Sequence, residues 1–205
     1  MSTLTLQPDD TTGVDTFLDI TAATTNYATD VRLGSGEHNA SSGFIWRSLI
    51  KFDLSSIPAD ATITSAILSL WTKTDLSSTT STHYLYRVLK NWVEAEANWN
   101  RASTALAWGT AGCNNATDKE STEIGSTSVS ATESVNTEIQ FSLDVTKVQE
   151  WVSGAVANYG MLLRTTTELN DMWLWHSSSG TTAAYRPKLV VEYTVGGESG
   201  CLMIL

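Results

Sequence analysis

The stretch that decides the fold spans residues 47–71 and reads Arg-Ser-Leu-Ile-Lys-Phe-Asp-Leu-Ser-Ser-Ile-Pro-Ala-Asp-Ala-Thr-Ile-Thr-Ser-Ala-Ile-Leu-Ser-Leu-Trp. Its first part alternates as a strand does, with Ile50 and Phe52 on one side and Leu49 on the other. Pro58 in the middle fixes its own φ and disfavours a helix at the residue before it. The stretch therefore predicts two strands joined by a tight crossing.

The second strand of this stretch indicates that more strands must lie nearby. Ala66, Leu68 and Leu70 share one side of it. Two strands alone cannot bury an apolar face, so further strands have to cover it. We therefore expect Phe52 and Leu68 to be buried in one core.

One short helix is predicted after Asp144, which is a good N-cap residue. Val148, Trp151 and Val152 are spaced three and four apart, and Gly154 ends the segment. Further strands are predicted at residues 2–6, 14–20, 31–34, 44–52, 83–89, 126–129, 138–143, 161–166, 172–176 and 185–193, with 161–166 and 172–176 paired to each other. The predicted fold class is all-β: a single jelly-roll-like antiparallel β-sandwich with one short helix.

Acidic residues outnumber basic ones in this chain, 22 against 12, which gives a formal net charge of −10. Nucleic-acid backbones and anionic membranes attract basic patches, so neither partner is expected. No apolar run approaches the roughly 20 residues of a membrane span. The N-terminal residues lack the basic and apolar regions of a secretory signal, so we expect no signal peptide.

The chain divides by composition into one domain, residues 1–195, and a short segment, residues 196–205. That segment starts with a Gly- and Ser-rich linker and continues as Cys201-Leu-Met-Ile-Leu205, which is wholly apolar. We interpret it as a docking peptide for another surface, in which Leu202, Met203, Ile204 and Leu205 are the assembly residues. The two cysteines, Cys113 and Cys201, can form a long-range disulfide or remain free thiols.

Several motifs resemble the DNRLRE domain family. They are the Arg-x-Leu-Ile-Lys-Phe-Asp-Leu stretch from residue 47, Asp15-Thr-Phe-Leu-Asp19, and Arg186-Pro-Lys-Leu-Val-Val-Glu-Tyr193. That family consists of extracellular β-sandwich modules and includes alginate-binding carbohydrate-binding modules, so the resemblance implies this fold and this ligand class. It extends over residues 14–194. Family members often carry an acidic residue where Ser178, Ser179 and Gly180 stand here.

No pattern of residues predicts catalysis. The histidines His38, His83 and His176 do not lie beside a nucleophile motif. Glu94, Glu96, Asp144 and Glu150 are the carboxylates that could cleave a glycosidic bond, but we expect them to cap and to face solvent. The sequence therefore predicts a protein that is not an enzyme.

Acidic loop residues can hold Ca²⁺ at the rim of a sandwich. The candidates for such a structural site are Asp15, Asp19, Asp30 and Glu37. They form no recognisable ligand loop, so no cofactor and no metal site is predicted.

The eight tryptophans divide into core and surface candidates. Trp151, Trp173 and Trp175 are expected in the core, and Trp92 and Trp99 are expected to fix a loop on the sandwich. Trp108 lies between Ala107 and Gly109, and Trp46 follows Phe44 and Ile45, so these two are the tryptophans whose burial the sequence indicates least. They are therefore the predicted contacts to a carbohydrate or to a partner protein.

Two function hypotheses follow. The first is a non-catalytic structural or adhesion protein of an extracellular assembly, namely a phage virion surface protein such as a capsid decoration or tail protein. The expected absence of a signal peptide, the single domain and the docking peptide favour it, with copies of itself or capsid and tail proteins as partners. The alternative is a stand-alone polysaccharide-binding module for alginate-like glycans, which the resemblance favours.

Overall fold

The computed structural model of the chain describes residues 1–38, 43–76 and 79–196. Within these ranges the strands are β1 (Ser2–Leu6), β2 (Val14–Asp19), β3 (Arg32–His38), β4 (Phe44–Lys51), β5 (Thr62–Asp75), β6 (Ser81–Arg87), β7 (Arg101–Ser103), β8 (Leu106–Ala107), β9 (Gly125–Val129), β10 (Glu138–Ser142), β11 (Met161–Thr165), β12 (Trp173–His176) and β13 (Lys188–Thr194). The helix α1 spans Val145–Val152, and Ala183–Tyr185 forms one 3-10 turn. The fold is all-β, as predicted.

The strands form two antiparallel groups that face each other. In the first group β1 pairs with β13, β13 with β5, and β10 adds to β5. In the second group β2 pairs with β4, β4 with β11, β11 with β6, and β6 with β9. Strands β12 and β3 connect the groups, because β12 pairs with β5 and β3, and the end of β3 pairs with β4. The small β7–β8 hairpin forms a separate two-stranded sheet.

The main core lies between the two groups of strands and contains the residues predicted from the opening stretch. Leu68 is completely buried and Phe52 is 5% exposed. Ile50 and Phe52 face this core, whereas Leu49 packs on the other side of β4 in a second cluster. Strand β4 therefore has apolar residues on both faces, because both of its faces are covered.

Helix α1 begins and ends where the sequence predicts. The carboxylate of Asp144 accepts a hydrogen bond of 2.9 Å from the backbone N–H of Thr146, which is an N-cap contact. Gly154 follows the helix with φ +75°, a conformation that favours glycine. Trp151 is buried on the apolar face of the helix, as expected.

The predicted pairing of segments 161–166 and 172–176 is wrong. Both segments form strands, but β11 lies between β4 and β6, while β12 lies between β3 and β5. The connection between them therefore leads from the second group of strands to the connecting strand β12. In this position, β12 places Trp173 and Trp175 in the main core, where both are fully buried.

In the described part of the chain, no helix is long and apolar enough to cross a membrane. The predicted docking residues Leu202, Met203, Ile204 and Leu205, together with Cys201, lie outside the described residues. The described cysteine, Cys113, is buried.

Candidate ligand-binding face

A long loop, residues 89–120, packs on the outer face of the second group of strands. Its own Trp92, Trp99 and Trp108 pack with Leu49 and Leu162 of the sheet in the second apolar cluster. The indole Nε1–H of Trp92 donates a hydrogen bond of 2.7 Å to the carbonyl of Tyr159. Trp92 and Trp99 therefore hold the loop on the sheet, as the sequence predicts.

The expectation that Trp108 is exposed is wrong. Its side chain is 6% exposed, and its Nε1–H donates a hydrogen bond of 2.9 Å to the carbonyl of Asn98. The ring belongs to the second apolar cluster because the loop folds back over it. It has no free face on which a sugar ring or a partner protein could pack.

Trp46 is buried as well, with 7% of its surface exposed. The ring of Phe17 stacks on it at 4.1 Å between ring centroids. A Cβ atom on Gly34 would lie 2.5 Å from the indole, so the missing side chain of that glycine makes room for the ring. The neighbouring strands β2 and β3 thus enclose Trp46, which corrects the expectation of a surface contact.

Where the loop ends, a cluster of aromatic and basic side chains lies on the same sheet face, with Tyr84 partly exposed and Tyr86 buried. Tyr84 on β6 lies opposite Arg164 on β11 and opposite Ser126 on β9. Tyr86 stacks beside Tyr84, with 6.3 Å between centroids, and the ammonium of Lys119 lies 3.9 Å above the ring of Tyr86. We call these five residues the Tyr84 face.

Arg47 is buried next to this face. Its guanidinium donates two hydrogen bonds to the carboxylate of Glu168, at 2.6 and 2.8 Å, and one of 2.7 Å to the carbonyl of Gly112. It also stacks over the ring of Trp99 at 4.8 Å. Arg164 contacts the same carboxylate at 3.2 Å, so Glu168 serves two guanidinium groups.

Basic and acidic groups lie close together at the Tyr84 face: Lys119, Arg164 and Arg47 are the cations, and Glu168 and Glu123 are the carboxylates near them. Burial and the nearby Arg164 guanidinium lower the pKa of Lys119, and burial together with Arg47 lowers the pKa of Arg164. In the described part of the chain, no ion pair joins Lys119 to a carboxylate. An anion placed here would relieve the repulsion between these groups.

The Tyr84 face offers the chemistry that recognises a charged sugar polymer. A partly exposed tyrosine ring provides an apolar surface with a polar hydroxyl. Arg164 and Lys119 provide donors that suit carboxylate or sulfate groups. The sequence does not reveal this face. Tyr84 and Tyr86 alternate with His83 and Leu85 in a predicted strand, but the alternation does not indicate which side of the strand remains uncovered.

The carboxylates considered for catalysis each have a structural partner. Asp144 caps α1, and Glu150 pairs with Arg87. Glu96 accepts a hydrogen bond of 2.7 Å from the backbone N–H of Thr104. Glu94 accepts one of 2.7 Å from the backbone N–H of Asp15, and burial raises the pKa of Glu94.

The four acidic residues considered for Ca²⁺ have separate partners. Asp19 accepts hydrogen bonds from Thr21, Asp30 pairs with Arg32, and Glu37 accepts one from the backbone N–H of Gly43. Asp15 is buried and accepts a hydrogen bond of 2.8 Å from the backbone N–H of Ser178. Over residues 1–38, 43–76 and 79–196, no group of three or more potential ligands is arranged to hold a metal ion.

The histidines also occupy structural positions. His83 is fully buried against Trp175 and lies 2.7 Å from the hydroxyl of Ser35, and burial lowers its pKa to about 4. His176 lies 2.9 Å from the side-chain oxygen of Asn136, and burial lowers its pKa to about 4 too. Both side chains are therefore neutral at physiological pH.

Comparison with known proteins places the chain in a family. No curated protein matches the sequence significantly. The sequence matches the family model described as the disaggregatase related repeat domain, over residues 15–191. This match does not bear on the DNRLRE resemblance, which stays a prediction. Because the match extends over most of the chain, the protein belongs to the disaggregatase related repeat domain family.

Proposed function

We propose that the protein is a non-catalytic module that binds an anionic polysaccharide on the Tyr84 face. The observation that carries this proposal is the arrangement of the partly exposed Tyr84, Lys119 and Arg164 around the buried ring of Tyr86. The apolar side of a sugar ring would pack on Tyr84. Its carboxylate or sulfate would accept hydrogen bonds from Arg164 and Lys119.

Electrostatics support a ligand that is anionic rather than neutral. The chain as a whole carries a net charge of −10, so a distant polyanion is repelled. At the Tyr84 face, however, burial and the Arg164 guanidinium lower the pKa of Lys119, and burial and Arg47 lower the pKa of Arg164. The expected binding is local and sensitive to salt, because the attraction acts within about 10 Å at ordinary ionic strength.

The rigid frame of the face also supports binding. Strands β6, β9 and β11 hold the backbone of Tyr84, Ser126 and Arg164 in register. Arg164 is fixed by Glu168 and by the side-chain oxygen of Asn114. Side chains that are already ordered lose little conformational entropy when a ligand binds.

The proposal can be tested by affinity electrophoresis in gels that contain a polyuronate, a sulfated glycan or a neutral glucan. The wild-type protein should be retarded by one or both anionic polymers and not by the neutral one. Tyr84→Ala and Lys119→Gln should each abolish most of the retardation. Equal mobility of wild type in all gels would contradict the proposal.

A matched control is available on the opposite group of strands. Lys188 places its ammonium 5.0 Å above the ring of Trp71, much as Lys119 does above Tyr86. Lys188→Gln therefore removes the same charge from a similar contact. It should leave the retardation unchanged, and a loss as large as that of Lys119→Gln would show that only the net charge matters.

The role in an extracellular particle stays a prediction. It depends on the apolar residues 201–205 acting as a docking peptide. Purified particles that contain the protein at fixed positions would support that role, and a polysaccharide partner is compatible with it.

A further inference from the structure

The outer face of the first group of strands has an apolar centre between two opposite charges. Leu189 and Val191 on β13 belong to the main core, so the residues that alternate with them point outward. The outward residues of β13 are all partly exposed: Lys188, Val190 and Glu192. Ile67 on β5 lies opposite Val190 and is partly exposed as well. We call Lys188, Val190, Glu192 and Ile67 the Val190 face.

The row of residues that crosses the sheet through Val190 carries no charge. Thr5 on β1 lies opposite Val190, and Ser142 on β10 lies opposite Ile67. The side chains of Thr5 and Ser142 are exposed. Two copies of a chain with a net charge of −10 repel each other, and this repulsion is weakest where the facing surfaces carry little charge. The row through Val190 is such a surface.

The two charges of the Val190 face lie on opposite sides of this row. Lys188 and Glu192 are each two residues from Val190 along β13. The ammonium of Lys188 lies 3.2 Å from the carboxylate of Glu138 on β10. Every lysine, arginine and histidine of the sequence lies within the described residues, and no ion pair there involves Glu192. The carboxylate of Glu192 can therefore accept a cation from another molecule.

We propose that two copies of the chain associate through the Val190 face, related by a two-fold axis that runs across the strands at Val190. Such an axis lies between the two sheets and reverses the strand direction, so Val190 packs on Val190 of the partner copy. The same operation places Lys188 of each copy opposite Glu192 of the other. One surface thus supplies both members of each ion pair.

The spacing of residues fits this arrangement. Lys188 and Glu192 each lie about 6.6 Å from Val190 along the strand. Sheets that pack face to face are about 10 Å apart and cross at about 30°. At this distance from the axis, the crossing displaces the facing residues by only about 3 Å. The long side chains of lysine and glutamate can bridge that displacement.

The charges select this axis over the other symmetric choice. A two-fold axis that runs along β13 would keep the strand direction. It would place Lys188 opposite Lys188 and Glu192 opposite Glu192 of the partner copy. Like charges that face each other at an interface repel, so this second arrangement is disfavoured.

The expected dimer is weak. The paired parts of the four strands give a face of roughly 19 by 23 Å, which is small for a specific interface. The dimer should therefore form well above the low micromolar concentrations of an affinity gel, where Lys188→Gln remains a valid control. The Tyr84 face lies on the other group of strands, so on the proposed function the dimer presents two binding faces that point away from each other.

Charge reversal tests the proposal in the full chain by sedimentation equilibrium, at protein concentrations up to the millimolar range and at physiological salt. The wild-type protein should show a reversible equilibrium between monomer and dimer. Lys188→Glu and Glu192→Lys should each weaken the dimer at least about fivefold, because each brings like charges together at two symmetric contacts. An equimolar mixture of the two variants should dimerise as the wild type does, because the acidic positions of one variant face the basic positions of the other.

The variant Glu123→Lys is the matched control. It makes the same change in net charge as Glu192→Lys, at an exposed position outside the first group of strands, and should not weaken the dimer. A wild-type protein that stays monomeric would overturn the proposal, and so would a Glu192→Lys variant that dimerises more tightly than the wild type. Equal weakening by Glu123→Lys, or a mixture of the two reversed variants that stays monomeric, would overturn the proposed arrangement.

Discussion

Tyr84 and Arg164 lie directly opposite each other on β6 and β11, so that a tyrosine ring and a guanidinium share one open patch of the sheet. The two residues are far apart in sequence. The antiparallel pairing of β6 and β11 brings them together. Loop 89–120 does not bury them completely, so both side chains remain partly exposed. This relationship is the basis for the proposed binding of an anionic polysaccharide.

The salt dependence of binding should reveal the charge of the ligand. Raising the NaCl concentration from about 0.05 to about 0.5 M should weaken binding of a polyuronate strongly, because the Debye length falls severalfold over this range. Titration calorimetry at both concentrations measures the effect. An affinity that does not change with salt would show that Lys119 and Arg164 make no important ionic contact.

Removing the buried guanidinium of Arg47 should destabilise the fold. Arg47→Ala leaves part of the Glu168 charge and the carbonyl of Gly112 without their donors, so a loss of about 3–5 kcal/mol in the free energy of unfolding is expected. Urea denaturation measures it. The matched control is Arg32→Ala. The ion pair of Arg32 with Asp30 is much more exposed, so its loss should lower the free energy of unfolding by less than about 1 kcal/mol. Similar losses in both variants would contradict this account.

The core that the opening stretch predicts can be tested at Leu68. Its side chain is fully buried and lies opposite Phe141 on β10 and Leu189 on β13. Leu68→Ala should lower the free energy of unfolding by roughly 2–5 kcal/mol. Val135→Ala, at an exposed position, should have almost no effect. A loss below about 1 kcal/mol at Leu68 would mean that the strand faces are reversed.

Asp15 should make the stability depend on pH. Burial raises its pKa from 3.8 to about 7, despite hydrogen bonds from Ser178 that favour the charged form. The folded state thus keeps a proton that the unfolded state has lost between pH 4 and pH 7. The contribution of Asp15 to the free energy of unfolding is fully present below pH 4. It decreases as the pH rises to 7, by up to about 1.4 kcal/mol per pH unit.

The variant Asp15→Asn isolates this effect, because the amide oxygen can still accept the hydrogen bond from the backbone N–H of Ser178. Melting temperatures at pH 5 and pH 8 should show that Asp15→Asn gains stability relative to wild type as the pH rises. A difference between the two proteins that is the same at both pH values would contradict the raised pKa.

Local patterns in the sequence predicted most of the strands and the helix. Asp144 and Gly154 fix the ends of α1 through contacts within a few residues, so the sequence alone was sufficient there. The alternation in β4 and β5 likewise placed Phe52 and Leu68 in the core. Alternation cannot, however, choose the partner of a strand, and for that reason β11 and β12 were wrongly paired.

The candidate site depended on contacts that no local pattern contains. Trp46 and Trp108 are the tryptophans whose burial the sequence indicates least, but β2 and loop 89–120 cover them. Tyr84 remains partly exposed, whereas Tyr86 beside it is buried. Which aromatic residue is free was therefore decided by the path of a long loop, and the sequence did not indicate that path.

The most direct test of the proposed binding face is to map it on the wild-type protein by NMR. Backbone amide signals are followed while an oligosaccharide of the polymer that retards the protein is added. We predict that the largest shifts occur at Tyr84, Ser126 and Arg164 on the three neighbouring strands, with smaller ones at Lys119. Shifts confined to other parts of the surface, or no shifts at saturating ligand, would contradict the assignment of the Tyr84 face.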